Sequence, residues 1–203
     1  LNEQYGIDNN NANEIRDTAL MDAAQLGLSE IVMTLLDKGV DIDKANKYGF
    51  TVLMIASGQG RVELVKTLLD KGADINKVNV YGATALMYAS ASGRVEVVKT
   101  LLDKGADINK IDDWDETALE KAASLGHVEI VKMLLEHPKT DWCRFLISIL
   151  RSRDLRSISL LYECWAKPKY DWIRQMMPGV VAFAESGFEY LKNTISRICQ
   201  SIA

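Results

Sequence analysis

The chain has 203 residues, 48% of them hydrophobic and 26% charged, a balance that supports one or two folded domains with a sizeable core. Its formal net charge of -4 leaves no basic footprint, which argues against nucleic acid as a partner. The most apolar stretch, Val180 to Ala184, is far short of the roughly 20 residues a membrane-spanning helix needs, and the polar opening with Asn9, Asn10 and Asn11 has no signal-peptide pattern, so a soluble, cytoplasmic chain is expected, monomeric when alone.

Taken in chain order, residues 1–16 come first. Gly6, Asp8, Ala12 and Asn13 stand 33 positions ahead of Gly39, Asp41, Ala45 and Asn46, so this segment reads either as the tail of a preceding repeat or as a polar N-terminal cap. Leu1 is not an initiator methionine, and the chain is therefore expected to be processed or cut from something longer. Four units follow, at 17–49, 50–82, 83–115 and 116–141. Thr18, Thr51, Thr84 and Thr117 recur every 33 residues, Gly27, Gly60, Gly93 and Gly126 keep the same step, and so do the pairs Leu35-Leu36, Leu68-Leu69, Leu101-Leu102 and Leu134-Leu135.

The second unit shows what each one encodes. Thr51 offers a hydroxyl to the free amides of a helix start, and Val52 to Ser57 supply small and apolar residues up to Gly58 and Gly60, which predicts a short first helix. Val62, Val65, Leu68 and Leu69 then lie three to four apart, predicting a second helix with one apolar face, closed by Gly72. Ala73 to Asn76 begins an extended connection towards Tyr81-Gly82, where glycine suits the positive φ of a tight turn. Each unit is thus helix, turn, helix, hairpin.

The last third, 142–203, lacks the hairpin consensus but keeps helix-pair patterning at Phe145 to Leu150, Leu155 to Leu161, Val180 to Glu185 and Phe188 to Ile198, and the Pro138-Lys139 step returns as Pro168-Lys169. It is expected to form degenerate helical repeats that cap the stack, since a terminal unit presents one face to water. Cys143, Cys164 and Cys199 show no C-x-x-C or His-paired spacing and are expected to be reduced packing residues. Arg144, Arg151, Arg153 and Arg156 form a local basic cluster that reads either as a solvated helix face or as a site for an acidic partner or phosphates.

The stretches T-A-L-M-D-A-A-x-x-G at 18–27, T-A-L-M-Y-A-S-x-x-G at 84–93 and L-L-D-K-G-A-D-I-N at 68–76 and 101–109 resemble the ankyrin family. The resemblance implies an all-α repeat solenoid with hairpin loops over residues 17–141, and a function in binding another protein through a concave surface of hairpin tips and first helices. The alternative is a targeting module of a larger enzyme, or of an effector directed at a host cell and acting in its cytosol. The family's Thr-Pro-Leu-His start appears here as Thr-Ala-Leu-Met, Thr-Val-Leu-Met or Thr-Ala-Leu-Glu, so helix starts are expected to rest more on packing than on a Thr–His hydrogen bond. By the same resemblance the hairpin tips are Glu14 and Ile15, then Lys47, Tyr48 and Phe50, then Val80, Tyr81 and Ala83, then Asp113, Trp114 and Glu116. The groove floor adds Gln25, Leu26, Gln59, Ala91, Ser92, Ser124 and Leu125.

Tyr48, Tyr81 and Trp114 fall in one column, and such rings either anchor a partner or stiffen the array by packing on neighbouring hairpins. Asp113, Asp115 and Glu116 at one end, with Lys47 towards the other, would give the groove a charge gradient. The column Met21, Met54 and Met87 is expected to pack inside the first-helix layer.

No catalytic residue, metal site or cofactor is assigned. His127 and His137 have no ligand at metal spacing and are expected to be structural. Asp41, Asp74 and Asp107 recur at the repeat step and belong to the hairpins, not to an acid–base pair.

Overall fold

The computed structural model describes residues 19–141, together with 144, 145 and 148; all of them lie in the first of the two units into which the chain divides, Leu1–Ser148. The expected tail at 1–16, Thr18, the three cysteines, Arg151, Arg153, Arg156 and nearly all of the expected C-terminal cap lie outside the described residues.

Eight helices occur in the described part. They are α1 (residues 19–26), α2 (Ser29–Asp37), α3 (Val52–Gln59), α4 (Val62–Asp70), α5 (Ala85–Ala91), α6 (Val95–Asp103), α7 (Ala118–Ser124) and α8 (Val128–Glu136). They alternate as first and second helices of four units. Among the described residues there is no β-strand, only an isolated antiparallel bridge between Ala45 and Thr51.

The threonines start the first helices. Thr51 and Thr84 hold extended backbone and their hydroxyls accept from the amides of Met54 and Met87 at 3.3 Å. At Thr117 the hydroxyl takes the Glu120 amide at 3.5 Å, and the Glu120 carboxylate reaches back to accept from the Thr117 amide at 2.5 Å, which completes a capping box. The hydroxyl caps expected of these threonines are therefore present, with methionine or glutamate standing where the family has histidine. Met21, Met54 and Met87 are buried, as expected of packing residues.

The second helices carry Glu30, Glu63, Glu96 and Glu129 in their first turns, where a negative charge meets the positive end of the helix dipole. Three of them stop at a lysine followed by a glycine in the left-handed region, illustrated by Gly72 at φ +92°. There the amides of Gly72 and Ala73 turn back to the carbonyls of Leu69 and Leu68, so the last carbonyls are satisfied. The end of α8 differs because Pro138 holds His137 in extended backbone at ψ 132°.

Leu20, Leu53, Leu86 and Leu119 from the first helices are buried in one column, and Leu68, Leu101 and Leu134 from the second helices in another. Each such leucine contributes about 1.5–3 kcal/mol by leaving water. Packing is between sequence neighbours: α3 on α5 and α5 on α7 among first helices, α4 on α6 and α6 on α8 among second helices.

Polar bonds between units set the register. The side-chain oxygens of Asp43, Asn76 and Asn109 accept from the amides of Asp74, Asp107 and Asp141 at 2.9, 2.8 and 3.1 Å. Near the loop joining each helix pair, Arg94 Nε donates to the Gly58 carbonyl at 3.1 Å, and the next unit repeats the contact with His127 Nε2 on the Ala91 carbonyl at 2.9 Å. Past α8 the Asp141 carboxylate accepts from the Arg144 amide at 3.0 Å, and Phe145 is buried.

Candidate functional site

The hairpins preceding α3, α5 and α7 share one construction. The side-chain oxygen of Asn46 accepts from the amides of Tyr48 (2.9 Å) and Phe50 (3.1 Å). Asn79 does the same for Tyr81 and Ala83, and Asp112 for Trp114 and Glu116, all at 3.0 Å. The turn closes through Gly49, Gly82 and Asp115, whose φ values are +77°, +71° and +63°. Adjacent hairpins are tied by their backbones, with Val80 donating to the Tyr48 carbonyl at 3.2 Å and Asp113 to that of Tyr81 at 3.0 Å. The tips are thus held rigidly, because their amides have partners that do not depend on solvent.

This framework leaves Tyr48, Tyr81 and Trp114 with 48%, 40% and 64% of their surface open. Tyr81 and Trp114 also stack, with ring centroids 5.7 Å apart and planes 30° apart. The Lys47 ammonium stands 4.9 Å from the Tyr48 ring centre. Tyr81 and Trp114 thus pack on each other across adjacent hairpins, and all three rings keep surface open to solvent. Phe50 is half-buried, its ring 5.1 Å from Tyr88 of the next unit.

Beneath the tips the units diverge. In the third unit the Asn79 amide donates to the Tyr88 hydroxyl at 2.7 Å. In the fourth, both residues change together: Asp112 pairs with Lys121 at 2.5 Å, and Lys121 reaches Glu116 at 2.9 Å and lies 5.5 Å from the Trp114 ring centre. Burial pulls the Lys121 ammonium down, but the hydrogen bonds and charges of Asp112 and Glu116 outweigh it and hold the group above its ordinary value. Burial pushes the Tyr88 hydroxyl up, more than its bond from Asn79 and the Lys121 charge lower it.

Of the residues expected in the groove, Lys47, Tyr48, Val80, Tyr81, Ser92, Asp113, Trp114 and Leu125 are exposed, and Phe50, Gln59, Ala91 and Glu116 are half-buried. Gln25, Leu26 and Ser124 are also exposed. Ala83 is buried against the expectation of a tip residue, since its amide closes the Asn79 loop at the base of the hairpin. The Gln59 amide is engaged by the Gln25 carbonyl at 2.6 Å. The expected charge gradient is reduced: Glu116 is paired with Lys121, and Asp115 with Arg144 at 2.8 Å, which leaves Asp113 as the exposed carboxylate that faces the tips without either pairing.

Sequence reasoning missed Tyr88 and Lys121 as supports of the tips. The signal that would have found them is the shared nine-residue offset from Asn79 and Asp112, with an amide–phenol pair exchanged for a carboxylate–ammonium pair. Both histidines hold structural hydrogen bonds, His127 to Ala91 and His137 Nδ1 from the Lys139 amide at 3.3 Å. Asp41, Asp74 and Asp107 each accept the amide two residues on, as hairpin residues. Among the described residues no group of three His, Cys, Asp or Glu side chains is placed to hold a metal ion, and no helix is long and apolar enough to cross a membrane.

A family model described as ankyrin repeats (3 copies) matches the sequence in overlapping segments, 1–79, 20–112 and 77–145. No curated protein matches the chain.

Proposed function

Because the chain belongs to the ankyrin-repeat family, whose arrays generally serve as protein–protein interaction modules, we propose that it is a protein-binding scaffold, acting in the cytoplasm, that grips its partner with the hairpin tips and the outward side of the first helices. The observation that carries this reading is the column Tyr48, Tyr81 and Trp114. Three large rings stay open to solvent on loops whose backbone is already hydrogen-bonded. Tyrosine and tryptophan are the side chains that most often dominate binding energy, and a loop that is ordered beforehand loses little entropy when it binds.

Val80, Ser92 and Leu125 are exposed and Ala91 is half-buried, so these small and apolar side chains would widen the contact. A protein laid across three tips and the adjacent first helices would cover about 800 Å² on each side, enough for a specific complex. Exposed Lys47 and Asp113, one hairpin apart from Tyr81 on either side, would orient it. This role asks no bond-making chemistry of the chain.

The test is affinity capture with the natural chain beside Tyr48→Ala/Tyr81→Ala/Trp114→Ala and beside a control altered on the second helices, Lys66→Ala/Lys99→Ala, with circular dichroism to establish that all three are folded. A prey protein retained by the natural chain and the control but lost from the triple variant is the expected result. Equal retention by all three would sink the reading.

A further inference from the structure

The three hairpins repeat in backbone but not in charge. One turn position holds Lys47, Val80 and Asp113 in succession, all three exposed. The position that anchors the loop holds Asn46, Asn79 and Asp112, and the one ahead of the capping threonine holds Phe50, Ala83 and Glu116. Lys44, Lys77 and Lys110 are the same in every hairpin and add no direction. Charge therefore runs from a cation on the hairpin before α3, through a neutral middle, to an acidic hairpin before α7. Pairing leaves that order in place. Among the described residues Lys47 and Asp113 make no ion pair, and Lys121 is shared by Asp112 and Glu116, so that trio keeps one net negative charge. The middle is apolar as well as neutral. Val78, Val80 and Tyr81 are exposed on the hairpin before α5, and Ile111 and Trp114 on the next, two hairpins tied by the Asp113 amide and by their stacked rings. A run of exposed apolar side chains on ordered backbone marks an interaction surface.

We infer, on the protein-binding reading of the tips, that this row selects an extended partner segment in which a bulky apolar side chain lies between an acidic and a basic one. The acidic side chain meets Lys47, the apolar one covers Val80 and Tyr81, and the basic one meets Asp113. Neighbouring helices pack about 8–10 Å apart, which sets the two charged ends about 16–20 Å apart, the reach of about five or six residues of extended chain. A segment with its charges in the opposite order would bring like charges together at both ends, so the row discriminates by repulsion as well as by attraction.

The test pans a displayed library of random peptides on the natural full chain, with the Tyr48→Ala/Tyr81→Ala/Trp114→Ala chain used to identify the peptides that need the rings. Ring-dependent peptides are expected to carry an acidic and a basic residue about five or six positions apart, with a bulky apolar residue between them. The tightest of them is synthesised, labelled and titrated by fluorescence anisotropy. Exchanging its acidic and basic residues is expected to weaken binding to the natural chain about tenfold or more. Lys47→Asp/Asp113→Lys, which leaves the net charge of the chain unchanged, is expected to weaken the original peptide similarly and to restore the exchanged one. Ring-dependent peptides without this order, or an exchanged peptide bound as tightly as the original, would overturn the inference and leave the binding surface standing. A library that yields no ring-dependent peptide would remove both. The peptide exchange is read on the natural chain, so its outcome does not depend on the folding of a variant.

Discussion

At position 115 an aspartate holds the left-handed backbone that Gly49 and Gly82 hold in the two preceding hairpins. A side chain at Gly82 would come within 3.1 Å of the Asp112 Cα and 3.3 Å of the Asp113 amide, and one at Gly49 within 2.8 Å of Asn79 and Val80 backbone, because the next hairpin is stacked there. What meets Asp115 is the Arg144 guanidinium, which donates to its carbonyl and carboxylate at 2.8 Å. Gly82→Ala is therefore expected to cost about 1–3 kcal/mol. Asp115→Gly is expected to change stability by less than about 1 kcal/mol, since relief of the left-handed strain is offset by the loss of a partly exposed ion pair. Urea unfolding of both variants checks the contrast, and a loss at Asp115 as large as that at Gly82 would contradict it. The exchange of Asn79–Tyr88 for Asp112–Lys121 makes a second expectation. The folded-state Lys121 lies above its ordinary value, so the stability it contributes is full below the unfolded-state lysine pKa, about 10.4, and is lost as pH rises through the folded one. Tyr88, raised chiefly by burial, loses stability in the same direction once the unfolded chain ionises first. Unfolding measured from pH 9 upward should therefore steepen in the natural chain and flatten stepwise in Lys121→Met and in Tyr88→Phe. A Lys121→Met chain with the natural alkaline slope would show that the pair contributes nothing.

At the scale of the element, the first helices are short, seven or eight residues for α3, α5 and α7, and helices of that length are marginal on their own. Their caps consequently matter. Thr51→Ala and Thr84→Ala each remove the acceptor of a buried amide and are expected to cost about 1 kcal/mol in thermal or urea unfolding. Thr117→Ala should cost no more, because the Glu120 carboxylate still holds the Thr117-position amide; a clearly larger loss there would mean that the reciprocal box is not independent of the hydroxyl. Helices, caps and hairpins were legible in the sequence because each depends on residues within four positions of one another: Thr84 on Met87, Asn79 on Tyr81 and Ala83. The column of rings was legible for the same reason, since a fixed step places Tyr48, Tyr81 and Trp114 alike. Gln59, Arg94 and His127 were not, because their partners lie 34 or 36 residues away on a neighbouring unit and no local pattern names them. Nor was the pairing of Glu116 and Asp115, two carboxylates that looked available to a partner but whose charges are met by Lys121 and Arg144 from other elements.

At the scale of the described array, stability is carried by contacts between neighbouring units, since α5 packs on α3, α6 and α7, and α6 on α4, α5 and α8. Such a stack behaves as a one-dimensional chain of units coupled to their neighbours, in which the effect of a lesion depends on where along the row it falls. Leu20 and Leu86 allow this to be tested with one chemistry, as they occupy the same column, are 0% and 1% exposed, and differ only in unit. Truncation of either to alanine removes a buried isobutyl group worth about 2–5 kcal/mol. Leu86 lies in the third unit, where the loss weakens the interfaces on both sides at once. Leu86→Ala is expected to raise amide exchange across α3 to α8 together, and to split unfolding into more than one transition or lower its midpoint sharply. Leu20→Ala should raise exchange in α1 and α2 and leave α5 to α8 near their natural rates, because the units beyond the second do not touch the site of the loss. If both variants instead raised exchange uniformly from α1 to α8, the units would be unfolding as one cooperative body. The local reach of a lesion that a chain of coupled neighbours requires would then be absent.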